Sequence, residues 1–288
     1  MSTIGESDLR DLAEVVFKGS ANALIRYKKS DRALDRLCVR FESLATNNQY
    51  TLENFEYVSC RISPLLGEYM AYISKEIREV DVLGPVLRNF SVNLDRSYAI
   101  VFKMEHITYG TDSVMIADHF TKFHLRGRSA VIWEFKPKWY TRSGDNCRNC
   151  VLNRVKGRDI PYCYTRVLEN PAILQECFAH CNLPPRFFVD VEEYLQSEDN
   201  VLAHLFAKQS KLSESVPNLA NLHGEGSVSE ELALLMTLRD VTCYISWDCE
   251  RGVRQAKIVD VDMKPRSKWK QWSSQQISLD RSSIKICH

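Results

Sequence analysis

The chain of 288 residues has no apolar run near the roughly 18 residues that a membrane span requires, so no membrane partner is expected. Its opening, MSTIGESDLRD, holds no basic stretch followed by an apolar one, and no secretory leader is expected. Net charge is almost absent: 38 Lys and Arg against 37 Asp and Glu leave +1. A chain so close to neutral cannot attract a polyanion as a whole, and any such binding must come from local crowding of charge. No glycine-rich phosphate loop is present. The turn Lys18-Gly19-Ser20-Ala21-Asn22 has one glycine and matches neither a Walker loop nor GxGxxG. A disulfide framework is not expected either. Ten cysteines in a chain of this length read as free thiols in a reducing compartment, which places the protein inside the cell, in nucleus or cytoplasm.

What is present is 44% hydrophobic and 26% charged, which suits one large folded domain or two lobes. Charge is crowded in two places. From Lys136 to Arg158 there are seven bases (Lys136, Lys138, Arg142, Arg148, Arg154, Lys156, Arg158) and one acid, Asp145. A second cluster, Lys264, Arg266, Lys268 and Lys270, follows the last strand-like stretch. Both clusters carry the same local grammar. EFKPKW (134–139) and DMKPRSKW (262–269) each run from an acid through an apolar residue to Lys-Pro, further base and Trp.

The patterning predicts a short helix and a strand before the glycine turn, a strand after it, and another at RLCVRF (36–41). The stretches from YVSCRISP to IADHF mix helix and strand. The strongest strand of the middle is 131–138. Helical patterns occupy NPAILQECFAHC and DVEEYLQSEDNVLAHLFAKQS, and KLSESVPNLANLHGEGSVS reads as an exposed loop. A helix then starts at a capping box made by Ser227 and Glu230. The chain closes with a hairpin, VTCYISW–DCERG–VRQAKIVDVDMKP.

Strand alternation places Glu134, Lys136 and Lys138 on one face, with Trp133, Phe135, Pro137 and Trp139 on the other. It likewise places Asp260, Asp262 and Lys264 opposite Val259, Val261 and Met263. Pro137 and Pro265 cannot donate to a ladder, so the lysines should open into a cleft there. Asp260 and Asp262 beside a lysine suit Mg²⁺ carrying a nucleotide, since this ion takes one or two carboxylates plus phosphate oxygens. With the hairpin turn near Glu250, residues whose numbers sum to about 500 face each other, which sets Asp240 across from Asp260. The Cys147-Arg148-Asn149-Cys150 stretch, with Cys163, Cys177, His180 and Cys181 beyond, admits a zinc half-site or a packed set of free thiols. The missing second half-spacing favours the thiols. His119, at the end of IADHF, suits a hinge or core position more than a catalyst.

EFKPKW followed by CRNC, LRDVTCYISW and DVDMKPRSKWKQW resembles the inositol-pentakisphosphate 2-kinase family, in length and detail its short fungal form. The resemblance runs from GSANAL to KWKQW. It implies an α+β, two-lobed inositol-phosphate kinase fold, distantly like protein kinases, with ATP between the lobes. The N-terminal lobe would be 1–132, with a hinge near 117–120. The C-terminal lobe would be 133–288, with an inositide-binding segment at about 139–226 and a catalytic and metal hairpin at 240–265. The implied activity is transfer of the ATP γ-phosphate to the axial 2-hydroxyl of inositol 1,3,4,5,6-pentakisphosphate, giving phytate. Gly19 and Asn22 would cover the ATP phosphates, Arg40 would touch them, His119 would meet adenine and Glu134 the ribose. Lys136, Lys138, Arg148, Lys156, Lys264 and Lys268 would hold inositide phosphates, with Asn200 a weaker match. Asp240 would accept the hydroxyl proton, with Lys136 as its catalytic companion, and Asp260 with Asp262 would hold Mg²⁺. A monomer is expected.

Some positions depart from the family pattern. Leu152 stands where plant and animal members have His, so that contact is lost or supplied by Asn153. Lys268 stands where some have Arg, and Trp272 replaces a tyrosine. The plant zinc-binding segment has no counterpart around 208–226. Two rival readings are an inositol polyphosphate kinase of broader specificity and a basic nucleic-acid-binding module stacking bases on Trp139, Tyr140, Tyr162 and Tyr164. The paired carboxylates argue against the second, because they repel a phosphate backbone.

Overall fold

The computed structural model describes residues 13–19, 21–27, 32–140, 147–284 and 286–287. The short helix expected before the first strand, Ser20 of the glycine turn, Arg142 and Asp145 lie outside them. The chain is mixed α and β, with two five-stranded sheets. It divides into two compact units. The first is the chain to Cys60 plus Ala71–Tyr109, and the second is Arg61–Met70 plus Gly110–His288.

In the first unit, β1 (Glu14–Lys18), β2 (Asn22–Arg26), β3 (Ala33–Cys38), β4 (Ile73–Glu79) and β5 (Tyr98–Glu105) form an antiparallel sheet in the order β1-β2-β3-β5-β4. Helix α1 (Leu44–Tyr57) lies against β5 and β3, and α3 (Val80–Asn89) lies against β4 and β5. The intervening α2 (Ser63–Leu66) belongs to the second unit. Ile25, Leu37, Leu83, Leu87 and Val101 form the core between sheet and helices. Asp35, 3% exposed, is held by Arg78 Nε at 2.6 Å and by the Tyr27 hydroxyl at 2.8 Å, so its charge is not left unpaired.

In the second unit the sheet order is β10-β9-β8-β7-β6, again antiparallel. Its strands are β6 (Ser113–Ile116), β7 (Thr121–Arg126), β8 (Ala130–Phe135), β9 (Thr242–Asp248) and β10 (Gly252–Val259). Alternation holds along β8: Val131, Trp133 and Phe135 are buried, while Ile132 and Glu134 face the other way. Trp133 meets Phe178 edge-to-face, and Phe123 of β7 meets both Phe178 and Phe187 in the same way. Phe187 belongs to α7 (Pro185–Gln196), which is followed by α8 (Val201–Ser213). The other helices are α4 (Arg148–Val155), α5 (Tyr164–Glu169), α6 (Ile173–Cys177), α9 (Glu230–Leu238) and α10 (Trp269–Asp280).

Four expectations shift. The units do not part at 132/133, because β6 and β7 pair with β8 and carry residues 113–126 into the second sheet. The segment 117–120 is the β6–β7 turn inside that sheet, where Ala117 N donates to Thr121 O at 3.0 Å. The stretch expected as an exposed loop folds inward: Leu219, Leu222 and Val228 are buried with Leu232 and Trp272. The α9 cap is Ser229, whose Oγ accepts from Leu232 N at 3.1 Å; Ser227 instead closes the preceding turn on Gly224.

Candidate functional site

Both Lys-Pro stretches leave the second sheet by way of a left-handed residue, three residues after β8 and directly after β10. β8 stops at Phe135 and Lys138 is left-handed, at φ +61; β10 stops at Val259 and Asp260 is left-handed, also at φ +61. Non-glycine residues seldom take that conformation. At Asp260 the left-handed turn breaks even–odd alternation, so the expected shared face of Asp260, Asp262 and Lys264 does not extend past the strand end; after β8 burial keeps alternating through Pro137, with Glu134, Lys136 and Lys138 on the half-buried side. The hairpin ladder closes at Val259↔Thr242, a sum of 501 after a bulge between Val253 and Gln255, so Asp240 and Asp260 lie beyond it and are not ladder partners.

Lysines pair with each of the two acids. Lys138 Nζ meets Asp240 Oδ1 at 2.7 Å and Lys264 Nζ meets Asp240 Oδ2 at 2.8 Å. Lys136 Nζ meets Asp260 Oδ2 at 2.8 Å. Burial alone would push the Asp240 carboxyl up, but Lys138 and Lys264 outweigh it and hold the group well below the usual carboxylate range. At Lys136 burial is outweighed by Asp260, and its affinity for the proton is raised. At Lys138 burial prevails over Asp240, and the ammonium is weakened.

Gln209 fixes the backbone of this corner. Its buried amide accepts from Tyr140 N at 2.8 Å and donates to Lys138 O and to Leu238 O, each at 3.0 Å. One side chain of α8 thus joins the lysine stretch to the end of α9, which carries Arg239 and Asp240. Asn149 adds a second tie, donating to Trp139 O at 2.7 Å.

Around Asp240 opens a cavity where the described lining residues include seven cations, Lys138, Arg148, Lys156, Arg158, Arg239, Lys264 and Lys268, and one carboxylate, Asp240. Arg148 and Arg239 both stack on Trp139, with guanidinium carbons 3.5 and 3.8 Å from the ring centroid. Arg148 also donates to Gln276 and Gln275 of α10 at 3.2 Å. Its Nη1, and Nε of Arg239, are buried donors without a partner among the described residues. Burial lowers the Arg148 pKa to about 10, and burial with the Arg148 charge lowers Arg239 to about 9. Unspent donors on crowded cations describe a site shaped for an anion. Sequence reading missed Arg239, Gln209 and Asn149; the adjacency of Arg239 to Asp240 was the available signal for the first.

Of the residues expected to hold inositide phosphate, Lys138, Arg148, Lys156, Lys264 and Lys268 line this cavity. Leu152 and Asn153 line it too. Lys136 lies beside the cavity on Asp260. Asn200 does not belong there. It is 1% exposed and caps α8, accepting from Ala203 N and donating to Leu195 O and Ser197 O, which leaves its side chain nothing for a ligand. His119 is on the cavity rim; burial first, then Arg158 and Lys138, lower its pKa.

The nucleotide candidates fall in two groups. In the first unit, Gly19 N donates to Asn22 O at 2.9 Å, and Val39 N donates to Ala21 O at 2.9 Å, which sets Arg40 at the same sheet end as the glycine turn. Arg40 rests on Phe41 and Tyr50. In the second unit, Glu134 accepts from His124 Nε2 at 2.7 Å and Lys122 Nζ at 3.2 Å. Burial would raise its pKa, but the His124 and Lys122 contacts lower it. The backbone carbonyl of Asp262 accepts from Thr237 Oγ1 at 3.2 Å.

No protein-family model matches the chain. The inositol-pentakisphosphate 2-kinase of Saccharomyces cerevisiae is 36% identical over 278 residues, covering 96% of this chain and 98% of that one. The chain belongs to the inositol-pentakisphosphate 2-kinase family. The enzyme of that name from Eremothecium gossypii is 34% identical over 283 residues, covering 96% of this chain and 100% of its own. The Candida glabrata one is 31% identical over 281 residues, covering 95% and 100%. No helix among the described residues is long and apolar enough to cross a membrane.

Proposed function

We propose that this chain transfers the γ-phosphate of ATP to the axial 2-hydroxyl of inositol 1,3,4,5,6-pentakisphosphate. The observation that carries the reading is Asp240, the single carboxylate among the described residues that line the cavity, set among seven cations. A five-phosphate substrate needs many cations, and its one free hydroxyl needs one acceptor. In phosphoryl transfer the protein mostly positions reactants and stabilises charge, while a carboxylate orients the attacking hydroxyl.

The lysine pairs give this a physical order. Lys138 and Lys264 neutralise Asp240 in the free protein. Arriving phosphates compete for both ammonium groups, and as the lysines turn toward the substrate, Asp240 becomes a stronger proton acceptor beside the hydroxyl. Arg148 and Arg239, already placed on Trp139, supply unspent donors to phosphate oxygens. Lys136, Lys156 and Lys268 complete the grip, and His119 joins it at the rim.

The ATP assignments are proposals that rest on the family resemblance: Gly19, Asn22 and Arg40 with the phosphates, Glu134 with the ribose. Asp260 and Asp262 offer the hard oxygen donors that Mg²⁺ takes, and Asp260 already balances a cation, Lys136, so the residues fit an ion that arrives with phosphate oxygens. Bound there, the ion would neutralise charge on the β- and γ-phosphates.

Base stacking finds less support. Tyr162 and Tyr164 are each 3% exposed and both bond the Thr121 hydroxyl, so neither is free to stack on a base. The deciding experiment incubates the protein with ATP, Mg²⁺ and a panel of inositol phosphates and locates the new phosphate. Phosphorylation at the 2-position of the pentakisphosphate alone is expected. Equal use of several panel members would favour the broader kinase, and no turnover would sink the reading.

A further inference from the structure

A second cluster of the second unit takes no part in the chemistry above. Cys147, Cys150, Cys163 and Cys287 bring their sulfurs within 4.8 Å of one another; the first three are buried and Cys287 is half-buried. Cys147 N donates to Ile286 O at 3.2 Å, so the last residues of the chain are tied to the start of α4. Ile286 and Cys287 pack on the three buried cysteines. Cys177 and Cys181, which follow the same motif in sequence, are not members.

The donor set is specific. Four thiols without a carboxylate or imidazole offer nothing to Mg²⁺ or Ca²⁺, which take oxygen, whereas soft sulfur ligands select zinc or iron. In a tetrahedral site with Zn–S near 2.3 Å, the sulfurs lie about 3.8 Å apart, so this group needs to contract by about 1 Å at most. Cys147 is the N-cap of the eight-residue α4 and Cys150 lies in its first turn, the CxxC arrangement that presents two sulfurs to one point. Cys163 and Cys287 supply the second half-site, whose spacing of 123 intervening residues (287 − 163 − 1) no local motif reveals.

We propose that Cys147, Cys150, Cys163 and Cys287 bind one Zn²⁺ in a closed tetrahedral site. Each thiol gives its proton to solvent as the ion binds. Four protein ligands leave no open position, so the ion's task is structural. It fastens the chain's C-terminal segment to the start of α4, directly beside Arg148, and so holds that guanidinium on Trp139 in the basic cavity. The site lies apart from the 208–226 segment, and its metal content can be measured without reference to any substrate.

The test uses the full chain, expressed in zinc-replete medium, purified under reducing conditions and analysed by mass spectrometry for metals. About one zinc per chain is expected. Exchange with Co²⁺ should give the intense visible bands of a tetrahedral thiolate site. Cys150→Ser and Cys287→Ser, dialysed against a mild chelator, should lose zinc at least roughly tenfold relative to wild type, while the exposed Cys60→Ser and Cys249→Ser keep it. Cys287→Ser, at the chain end, should stay folded by circular dichroism, with faster proteolysis of the C-terminal segment. Less than about a tenth of an equivalent of zinc in the wild-type protein would overturn the proposal. So would iron in its place, or full retention of zinc by Cys287→Ser.

Discussion

Three lysines and two arginines at the cavity are kept in opposite states. Lys136, Lys138 and Lys264 each hold a carboxylate at 2.7–2.8 Å. Arg148 and Arg239 have no ion pair among the described residues, lie on one indole and keep a buried donor unspent. A lysine ammonium is a point charge on a flexible stem and can change partner readily, while a guanidinium is planar and stays charged when buried. The lysine half therefore exchanges internal counter-ions for phosphate. The arginine half is already arranged and is under mutual repulsion until phosphate arrives. Substrate binding should relieve strain at the arginines and release acids at the lysines.

The largest effect should come from Asp240→Asn. It removes the proton acceptor while freeing Lys138 and Lys264, so turnover should fall about 10²- to 10⁴-fold, while pentakisphosphate affinity holds or tightens. Single-turnover kinetics beside calorimetric titration separates the two, and near-normal turnover would end the exchange account. Asp260→Asn should instead weaken Mg–ATP binding together with turnover.

Next comes Arg239→Met. Losing a charged donor should weaken inositide binding roughly 10- to 100-fold. The same change removes a buried like charge beside Arg148, so the melting temperature of the free protein should rise. A drop in melting temperature would show that the two arginines are not in tension.

Salt should then act on both halves. Although the chain is nearly neutral, inositide affinity should fall severalfold from low salt to about 0.3 M, because the attraction is local and screened. A flat response would mean that charge is not what the cavity recognises.

The smallest effect concerns His119. Its pKa is lowered, so its contribution to folded stability is present above about 6.5 and is lost as pH falls through the lower folded value. Bound phosphate reverses the surroundings and favours the protonated ring. Binding near pH 6 should take up a fraction of a proton, and His119→Gln should reduce that uptake, as calorimetry in two buffers would read.

Much of the site's composition was legible in the sequence, while its connections were not. Lys138, Arg148, Lys156, Lys264, Lys268 and Asp240 stand in local motifs and converge on one cavity. The face assignment past Val259 failed because left-handed Asp260 ends the strand's alternation and is not the glycine that would signal it, whereas past Phe135 the burial alternates on through Pro137. Asn200 misled because a cap asparagine and a ligand asparagine look alike until its hydrogen bonds are counted. Ser227 misled in the same way, two residues before the serine that caps α9. Gln209 and Cys287 act across long separations, on Lys138 and on Cys163, and no local spacing encodes that. The sheets were more legible, since alternation in β8 and the hairpin ladder follows burial directly.

Gln209 has a consequence for how inherited or selected variants of such a chain would be interpreted. Its side chain touches no cavity residue's charge and is 1% exposed, so a tally of conserved-looking ligands would pass over it. Yet one amide triangulates residues 138, 140 and 238. Glutamate at this position has the same outline but cannot donate to two carbonyls. Judged from shape alone that single-letter change is silent, yet it leaves a buried backbone carbonyl without its donor and should loosen the corner that carries Lys138 and Asp240.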